Sequence, residues 1–309
     1  MLINLKKPEF WLKKNLISLV LLPLTIITYL INFLKKFSNK KIFKIKSICI
    51  GNIYVGGTGK TTLTILVNQI LKEKFKTVFI KKKYNNQKDE INLLKKNGSV
   101  ISKKNRILSL KLAEKKKYEV ALLDDGLQQK NINYSLKIVC FNSSEFIGNG
   151  YLLPAGPLRE NITELKNYDC VFLNGETKSS KIKKKIKSIN KDIEIFQGSY
   201  DPLNLKTFNR NKNFLMFCVI GNPREFENTL LKYKFKIKEK FIFADHHKFY
   251  DEEIFSIKEI AKKNKLSIIT TEKDFLRLSS KQKKGIKFLK IKLKIKNLNK
   301  FKKILFNIK

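Results

Sequence analysis

Short apolar runs alternate along this chain with longer stretches in which apolar residues recur every three or four positions. The runs at 45–50, 77–80, 120–124, 136–141 and 170–174 have the length and continuity of strands buried on both faces. Between several of them the helical period appears, as at 63–73 and 106–116. That alternation predicts a mostly parallel sheet with helices on its faces. Residues 178–191 read as a basic helix or linker, and 193–200 as a further strand before the turn Asp201-Pro202. A second α/β set follows: strands at 214–220, 241–244 and 266–271, with helices at 224–233 and 251–263. The tail from 281 to 309 alternates Lys with Ile, Leu and Phe and reads as a strand plus a short amphipathic helix. No internal repeat is present, and the boundary between the two α/β sets falls near Ser199.

The N-terminus has a different pattern. Asn15 through Leu34 contains no charged residue, with Lys13 and Lys14 before it and Lys35 and Lys36 after it. Twenty helical residues at ~1.5 Å rise cover roughly 30 Å, one hydrocarbon thickness. The flanks are basic on both sides, so charge does not orient the segment. Pro23 can kink it, and Ser18, Thr25, Tyr29 and Asn32 fall near one face. A full span and a helix dipping into one leaflet with both ends cytoplasmic both fit. A signal peptide fits less well, because no small-residue cleavage site follows.

Composition changes the picture in two ways. The 309 residues include 66 Lys or Arg against 26 Asp or Glu, a net charge of +40, yet only five are Arg. Lysine is spread evenly with Ile and Asn, and no nucleic-acid motif is present, so the charge reads as a solvated coat rather than a base-reading surface. Such a coat favours anionic membranes and phosphorylated substrates. The four cysteines, Cys49, Cys140, Cys170 and Cys218, lie in apolar runs without metal-ligand spacing, which predicts buried free thiols of a reducing compartment.

The densest chemical signal follows the first strand. Ser47-Ile48-Cys49-Ile50 leads into Tyr54-Val55-Gly56-Gly57-Thr58-Gly59-Lys60-Thr61, and the apolar-periodic residues Leu63, Leu66, Val67, Ile70 and Leu71 follow. Strand, glycine loop and helix in that order wrap a polyphosphate with backbone N–H groups and aim a helix N-terminus at it. Tyr54 stands where the strict pattern has Gly, so the loop is a variant. Lys60 is placed to reach the β- and γ-phosphates and the Thr61 hydroxyl to ligate Mg²⁺. The run at 120–124 ends in Asp124-Asp125-Gly126-Leu127-Gln128-Gln129, where a parallel strand presents acids to a ligand and where the further Mg²⁺ carboxylate belongs.

Three more groups carry candidate chemistry. Leu152-Leu153-Pro154-Ala155-Gly156-Pro157-Leu158-Arg159-Glu160 is a Pro-bracketed loop ending in a charge pair, and Arg suits bidentate phosphate contact. Asp245-His246-His247 holds both histidines of the chain, in an arrangement that serves acid–base work or a capped turn. Asp89-Glu90 opens an apolar run and by itself reads as a helix N-terminal acid pair.

Taken in order, these motifs resemble the tetraacyldisaccharide 4′-kinase family, the lipid A 4′-kinases of outer-membrane-bearing bacteria. The resemblance runs from Lys46 to about Leu278. It rests on Gly51-Asn52-Ile53 leading into the glycine loop, on Asp124 to Gln128, and on Gly148-Asn149-Gly150 with the Pro-bracketed loop. Gly221-Asn222-Pro223, Asp245-His246-His247 and Thr271-Glu272-Lys273-Asp274 complete it. It implies transfer of the γ-phosphate of ATP to the 4′-hydroxyl of an acylated glucosamine disaccharide 1-phosphate at the cytoplasmic face of the inner membrane. It also implies two α/β/α sandwich domains, the first resembling a P-loop NTPase, with the active site in the cleft between them and a hydrophobic N-terminal helix. The implied organisation is a membrane-associated helix in 1–41, a kinase domain in 42–198 and a second α/β domain in 199–309. Mapped by motif, Lys60 and Thr61 hold phosphates and Mg²⁺, Asp124 and Asp125 serve the metal, and Arg159 and Glu160 line it. Asp89 is the implied base, paired with His246, and Arg106 matches a family arginine.

The chain departs from the family pattern in places. Lys81-Lys82-Lys83-Tyr84-Asn85 replaces a usual Ser-Arg-Gly-Tyr-Gly, and Lys88 replaces the Gly before Asp89. Gln129 stands where His is common, and Tyr134-Ser135 where Arg-Asp is common. The alternative from another class is a membrane-tethered P-loop ATPase of switch or targeting type, which needs no sugar pocket. The Pro-bracketed loop argues against it.

Overall fold

Apolar runs with no face left to water pair side by side and take helices on both faces. The computed structural model describes residues 8–84, 88–175, 180–219, 223–244 and 247–308. Two N-terminal helices, α1 (Leu16–Val20) and α2 (Thr25–Lys36), precede the alternating part. There follow β1 (Lys46–Gly51), α3 (Lys60–Leu71), β2 (Thr77–Lys82), α4 (Lys88–Lys95), β3 (Val100–Lys103), α5 (Arg106–Lys115) and β4 (Val120–Asp124). The series continues with β5 (Leu136–Asn142), β6 (Cys170–Asn174), α6 (Ser180–Ile189) and β7 (Glu194–Pro202). The next group is β8 (Asn213–Cys218), α7 (Pro223–Lys232), β9 (Lys236–Ile242), α8 (Asp251–Lys263), β10 (Ser267–Thr271), α9 (Glu272–Arg277), α10 (Ser280–Lys283) and β11 (Ile286–Leu289). The chain closes with β12 (Ile291–Ile295) and α11 (Leu298–Phe306).

Eight strands form one sheet in the order β12-β7-β6-β5-β1-β4-β2-β3, and four form another, β11-β10-β8-β9. From β3 across to β7 every ladder is parallel. The four-stranded sheet is parallel as well. The mostly parallel α/β architecture read from the sequence is therefore the one observed. In the larger sheet β1 lies between β5 and β4, and the chain winds away from it in both directions. The carboxyl end of β1 is thus a point where ligands bind in such folds.

The chain divides into two compact units whose limits differ from the sequence boundaries. The larger holds Lys7–Asn85, Leu94–Ser199 and Leu293–Lys309; the smaller holds Tyr200–Lys292 together with the first residues of α4. The tail is the main difference. Leu293 and Ile295 of β12 and Phe301 and Leu305 of α11 are buried, and the Phe301 ring meets Phe196 of β7 at 4.9 Å between centroids. Lys46 at the start of β1 donates to the Ile308 carbonyl at 2.8 Å. A Lys-rich alternating segment thus closes the edge of the large sheet, its apolar positions turned inward. In the smaller unit, Glu90 of α4 pairs with Lys273 of α9 at 3.1 Å.

Other differences have local causes. Strand β9 begins at Lys236 rather than 241, because Lys236, Lys238 and Lys240 face outward on an edge strand and only every second residue turns inward. Strand β3 carries a single fully buried position, Ile101, too weak a signal to read as a strand. The N-terminal segment is not one continuous helix. Asn15 caps α1 through a reciprocal bond pair with Ser18, and a 3₁₀ turn containing Pro23 separates α1 from α2. Among the described residues no helix is long and apolar enough to cross a membrane. The four cysteines are free and buried. Burial raises the thiols of Cys49 and Cys170 to about 12.

The packing of the tail is testable. Phe301→Ala should lower stability by about 3–5 kcal/mol, the cost of emptying a fully buried aromatic site. Denaturant unfolding measures it, and a loss below about 0.5 kcal/mol, the level of a surface change, would place α11 outside the core.

Candidate active site

The parallel register sets Ile50 of β1 beside Asp124 of β4, so the glycine loop and the acid pair leave the sheet together. Gly56 and Gly59 have φ of 135° and 78°, conformations that exclude most side chains, and Gly59 caps α3. Thr61 in the first turn of α3 donates to Asp124 Oδ2 at 3.1 Å. Lys60 Nζ lies 3.7 Å and Arg159 Nη1 3.6 Å from Asp125 Oδ1. Of the residues named from the sequence, the structure therefore brings Lys60, Thr61, Asp124, Asp125 and Arg159 into one cluster.

The Pro-bracketed loop is the clamp on the phosphate loop. Val55 N donates to Pro157 O and Arg159 N to Ile53 O, both at 2.8 Å, and Tyr54 forms a bridge with Leu158. Tyr54, the residue in place of the pattern Gly, is buried and donates its hydroxyl to Glu145 at 2.6 Å. Its ring anchors the loop entry, so the absent glycine is replaced by a packed side chain. Asn52 holds the turn from within by donating to Tyr54 O, and Gln128 Nε2 donates to Asn52 O at 2.7 Å. Thr58 is buried, with its hydroxyl oxygen unpartnered among the described residues.

Asp124 is fully enclosed, and its Oδ2 also accepts from Lys81 Nζ at 2.8 Å. Lys81, at the carboxyl end of β2, is itself buried. Asp125 adopts a left-handed backbone conformation, φ 64°, with Arg106 donating to its carbonyl and Asp125 N donating to Ile50 O. Burial disfavours charge on Asp125, but Lys60, Arg159, Lys81 and Arg106 outweigh it and hold the carboxyl below its ordinary value. The acid is therefore ionised at neutral pH.

The donor set fits Mg²⁺. Among the described residues Asp124 Oδ1 is buried with no hydrogen-bond partner, and a hydroxyl and a carboxylate completed by phosphate oxygens and water are what this ion takes. Glu160 Oε1 is likewise buried with no hydrogen-bond partner among the described residues, while its other oxygen is engaged. Its Oε2 accepts from Tyr168 Oη at 2.5 Å and Lys130 Nζ at 3.1 Å, which commits it to a buried cluster with Glu164. Among the described residues no three His, Cys, Asp or Glu side chains are grouped to hold a metal.

The sequence of residues 17–308 matches the family model described as tetraacyldisaccharide-1-P 4′-kinase, LpxK. The chain belongs to this family. It is 48% identical over 299 residues to the tetraacyldisaccharide 4′-kinase of Pelagibacter ubique, covering 94% of each chain. Its identity to the enzyme of Rickettsia bellii is 33%, over 96% of this chain and 97% of that one. In fold it is similar to a crystal structure of LpxK from Aquifex aeolicus in complex with ATP. That likeness has a TM-score of 0.72 at 23% identity, over 95% of this chain and 99% of that one. The chain is thus an ATP-dependent kinase of lipid A assembly.

The remaining family motifs serve different ends. Asp245 and His246 lie outside the described residues, and Asp89 lies in the first turn of α4 with its side chain undescribed. His247 is held by Glu253 at 2.8 Å and stacked on Phe243. Asp274 is buried and accepts from Val219 N at 3.0 Å and the Thr271 hydroxyl at 2.8 Å, tying α9 to the end of β8. Lys81 was missed among site residues. A lysine ending an apolar parallel strand was the available signal, because such a charge needs a partner at the same end of the sheet.

Lys81→Met leaves the enclosed Asp124 without its cation and should cost about 3–5 kcal/mol of folding stability. Lys103→Met, exposed on β3, should cost less than about 0.5 kcal/mol. Equal denaturation midpoints for the two variants would remove the pair from the architecture of the site.

Proposed function

We propose that the cluster around Lys60 transfers the γ-phosphoryl group of ATP to the 4′-hydroxyl of an acylated glucosamine disaccharide 1-phosphate. The observation that carries this reading is the convergence of Lys60, Thr61, Asp124, Asp125 and Arg159 at the carboxyl ends of β1 and β4 in a chain of this family. Backbone N–H groups of residues 54–61 cradle the phosphates, and Lys60 and Arg159 balance charge on the transferring group. Asp125 holds both cations near the reaction until nucleotide arrives. Thr61 and Asp124 hold Mg²⁺, which when bound neutralises charge on the β- and γ-phosphates. The acceptor oxygen forms a bond to the γ-phosphorus as the bond to the β-bridging oxygen breaks. ADP leaves, and the hydroxyl proton passes to a base.

That base is Asp89, oriented by His246. Support comes from chain organisation. The start of α4 groups with residues 200–292, the unit that contains His246 in sequence, and the neighbouring Glu90 is fixed there by Lys273. The deciding experiment incubates the protein with ATP, Mg²⁺ and the acylated disaccharide 1-phosphate and scores phosphate at the 4′ position. Lys60→Ala should abolish product, and Asp89→Ala should lower turnover by roughly 10²–10⁴-fold with ATP affinity little changed. Turnover of either variant within threefold of wild type, on the order of half a kcal/mol of barrier, would refute its role.

The N-terminal helices serve as an interfacial anchor. On α2, Thr28 donates to Leu153 O at 2.8 Å, Asn32 to Arg159 O at 2.7 Å and Lys36 to Glu164 at 2.6 Å, one stripe facing the Pro-bracketed loop. Ile27, Leu30 and Leu34 are exposed, Leu34 by 68%. An apolar face turned to water beside Lys13, Lys14 and Lys35 suits the headgroup level of an anionic bilayer and gives a lipid substrate its approach. A triple substitution of Ile27, Leu30 and Leu34 to Glu should weaken cosedimentation with phosphatidylglycerol vesicles at high salt by roughly tenfold or more. Undiminished sedimentation of the triple variant would rule out this face as the anchor.

A further inference from the structure

The two oxygens of Asp124 are held differently. Oδ2 accepts from the Lys81 ammonium at 2.8 Å and from the Thr61 hydroxyl at 3.1 Å. Oδ1 is buried and, among the described residues, has no hydrogen-bond partner. The sheet creates this asymmetry. Strands β2 and β4 pair in register up to Ile80 and Leu123, so the next residues, Lys81 and Asp124, leave the ladder side by side. Both are enclosed, Lys81 at 3% exposure and Asp124 at 0%. A lysine buried beside a carboxylate cannot swing into other contacts without stranding the carboxylate, so this pairing is fixed.

The ammonium does part of what a bound metal ion would do. Without it, Asp124 is a buried carboxylate in need of a cation, and a divalent ion answers that need. With it, the charge of Asp124 is already balanced. Asp125 is balanced as well, by Lys60 at 3.7 Å and Arg159 at 3.6 Å, and Arg106 adds positive charge at the Asp125 carbonyl. Among the described residues no three His, Cys, Asp or Glu side chains are grouped to hold a metal. Affinity for a hard divalent ion follows the number and charge of its oxygen ligands, and here the chain offers few, inside an excess of positive charge. A triphosphate brings what is missing, because its oxygens are ligands and its charge offsets that excess.

We infer that Lys81 is a positioning residue of the metal site: it holds Asp124 by Oδ2, keeps Oδ1 available to the ion, and makes capture of that ion conditional on bound nucleotide. This role rests on the kinase reading above, in which Thr61 and Asp124 hold Mg²⁺. A lysine at this place acts through Asp124 and not on the phosphates, since its ammonium is spent on the enclosed carboxylate. The empty enzyme then carries its own counter-cation, and metal and nucleotide enter as one charge-balanced unit.

Mn²⁺ is the probe, followed by the electron paramagnetic resonance signal of the free ion, with full-length protein and no nucleotide. Wild type should bind it weakly. Lys81→Met should bind it about tenfold or more tightly, the scale of removing one nearby positive charge. Lys81→Arg, which keeps the charge, should stay with wild type, and so should Lys103→Met at the exposed end of β3. With a non-hydrolysable ATP analogue present, wild type should hold Mn²⁺ beyond the amount that the analogue binds alone. Loss of the ammonium weakens the fold, so the denaturation midpoint of Lys81→Met is followed as well. Mg²⁺ without nucleotide should raise that midpoint and leave those of wild type and Lys103→Met in place, because a ligand stabilises only the native state that binds it. A lysine with a structural role alone would lower the midpoint and leave Mn²⁺ affinity where it was. Nucleotide-free Mn²⁺ affinities of wild type and Lys81→Met within about twofold of each other would therefore overturn this role. So would a Lys81→Met midpoint that Mg²⁺ does not raise, or wild type that gains no Mn²⁺ with the analogue. Absence of 4′-phosphorylated product from wild type, with the metal results as expected, would overturn the kinase reading alone.

Discussion

A carboxylate with no access to solvent must be neutralised by what surrounds it, and Asp124 is such a group. Its neighbours are drawn from separate parts of the chain: the Thr61 hydroxyl from α3 and the Lys81 ammonium from β2. Each arrives because a parallel sheet delivers the carboxyl ends of β1, β4 and β2 to one edge. The next residue, Asp125, gathers Lys60 and Arg159 in the same way. One sheet edge thus sets the two carboxylates against four cations, Lys60, Lys81, Arg106 and Arg159. The positive excess left over suits the negative charge of a triphosphate.

The loop that carries Arg159 is shaped from both sides. Val55 and Ile53 bind it on the phosphate-loop side, while Trp11, Thr28 and Asn32 donate to the carbonyls of Pro154, Leu153 and Arg159 on the other. Asn149 stitches its base, donating to Ala155 O and Phe10 O. A Cβ on Gly156 would meet Asn149 Oδ1 at 2.2 Å, so this glycine is fixed by close approach. The helices proposed to meet the bilayer and the loop proposed to touch the phosphates are therefore one hydrogen-bonded body, and displacement of α2 is felt at the backbone of Arg159.

What the sequence disclosed is what depends on local geometry. Gly56 and Gly59 are demanded by their φ values, and the strand, loop and helix order around them is contiguous, so the nucleotide site was legible. The apolar strands were legible for the same reason; β4, β6 and α8 lie where periodicity puts them. Pairings between distant segments were not. Nothing local says that Glu160 Oε2 answers Lys130 and Tyr168, or that Lys81 answers Asp124. The tail forms the strand and short helix that its pattern predicts, but its place was not legible: alternate Lys residues in β12 describe a sheet edge without naming which sheet. The N-terminal run read as one helix because composition measures apolarity and not continuity, which the 3₁₀ turn at Pro23 interrupts.

The grouping of the tail with the first half of the chain has a consequence for how this protein could be divided. The chain enters the smaller unit at the start of α4, leaves it within that helix, returns near Tyr200 and leaves again before Leu293. Neither unit is a continuous stretch of the gene. A fragment ending near residue 199 lacks the edge strand and the helix that cap its own sheet, and one beginning there lacks the helical turn that Lys273 holds. Exchange of parts between relatives by a single crossover would separate each unit from a piece of its own core. Inheritance of the two units is thereby linked, and a working chimera needs junctions at every passage of the chain.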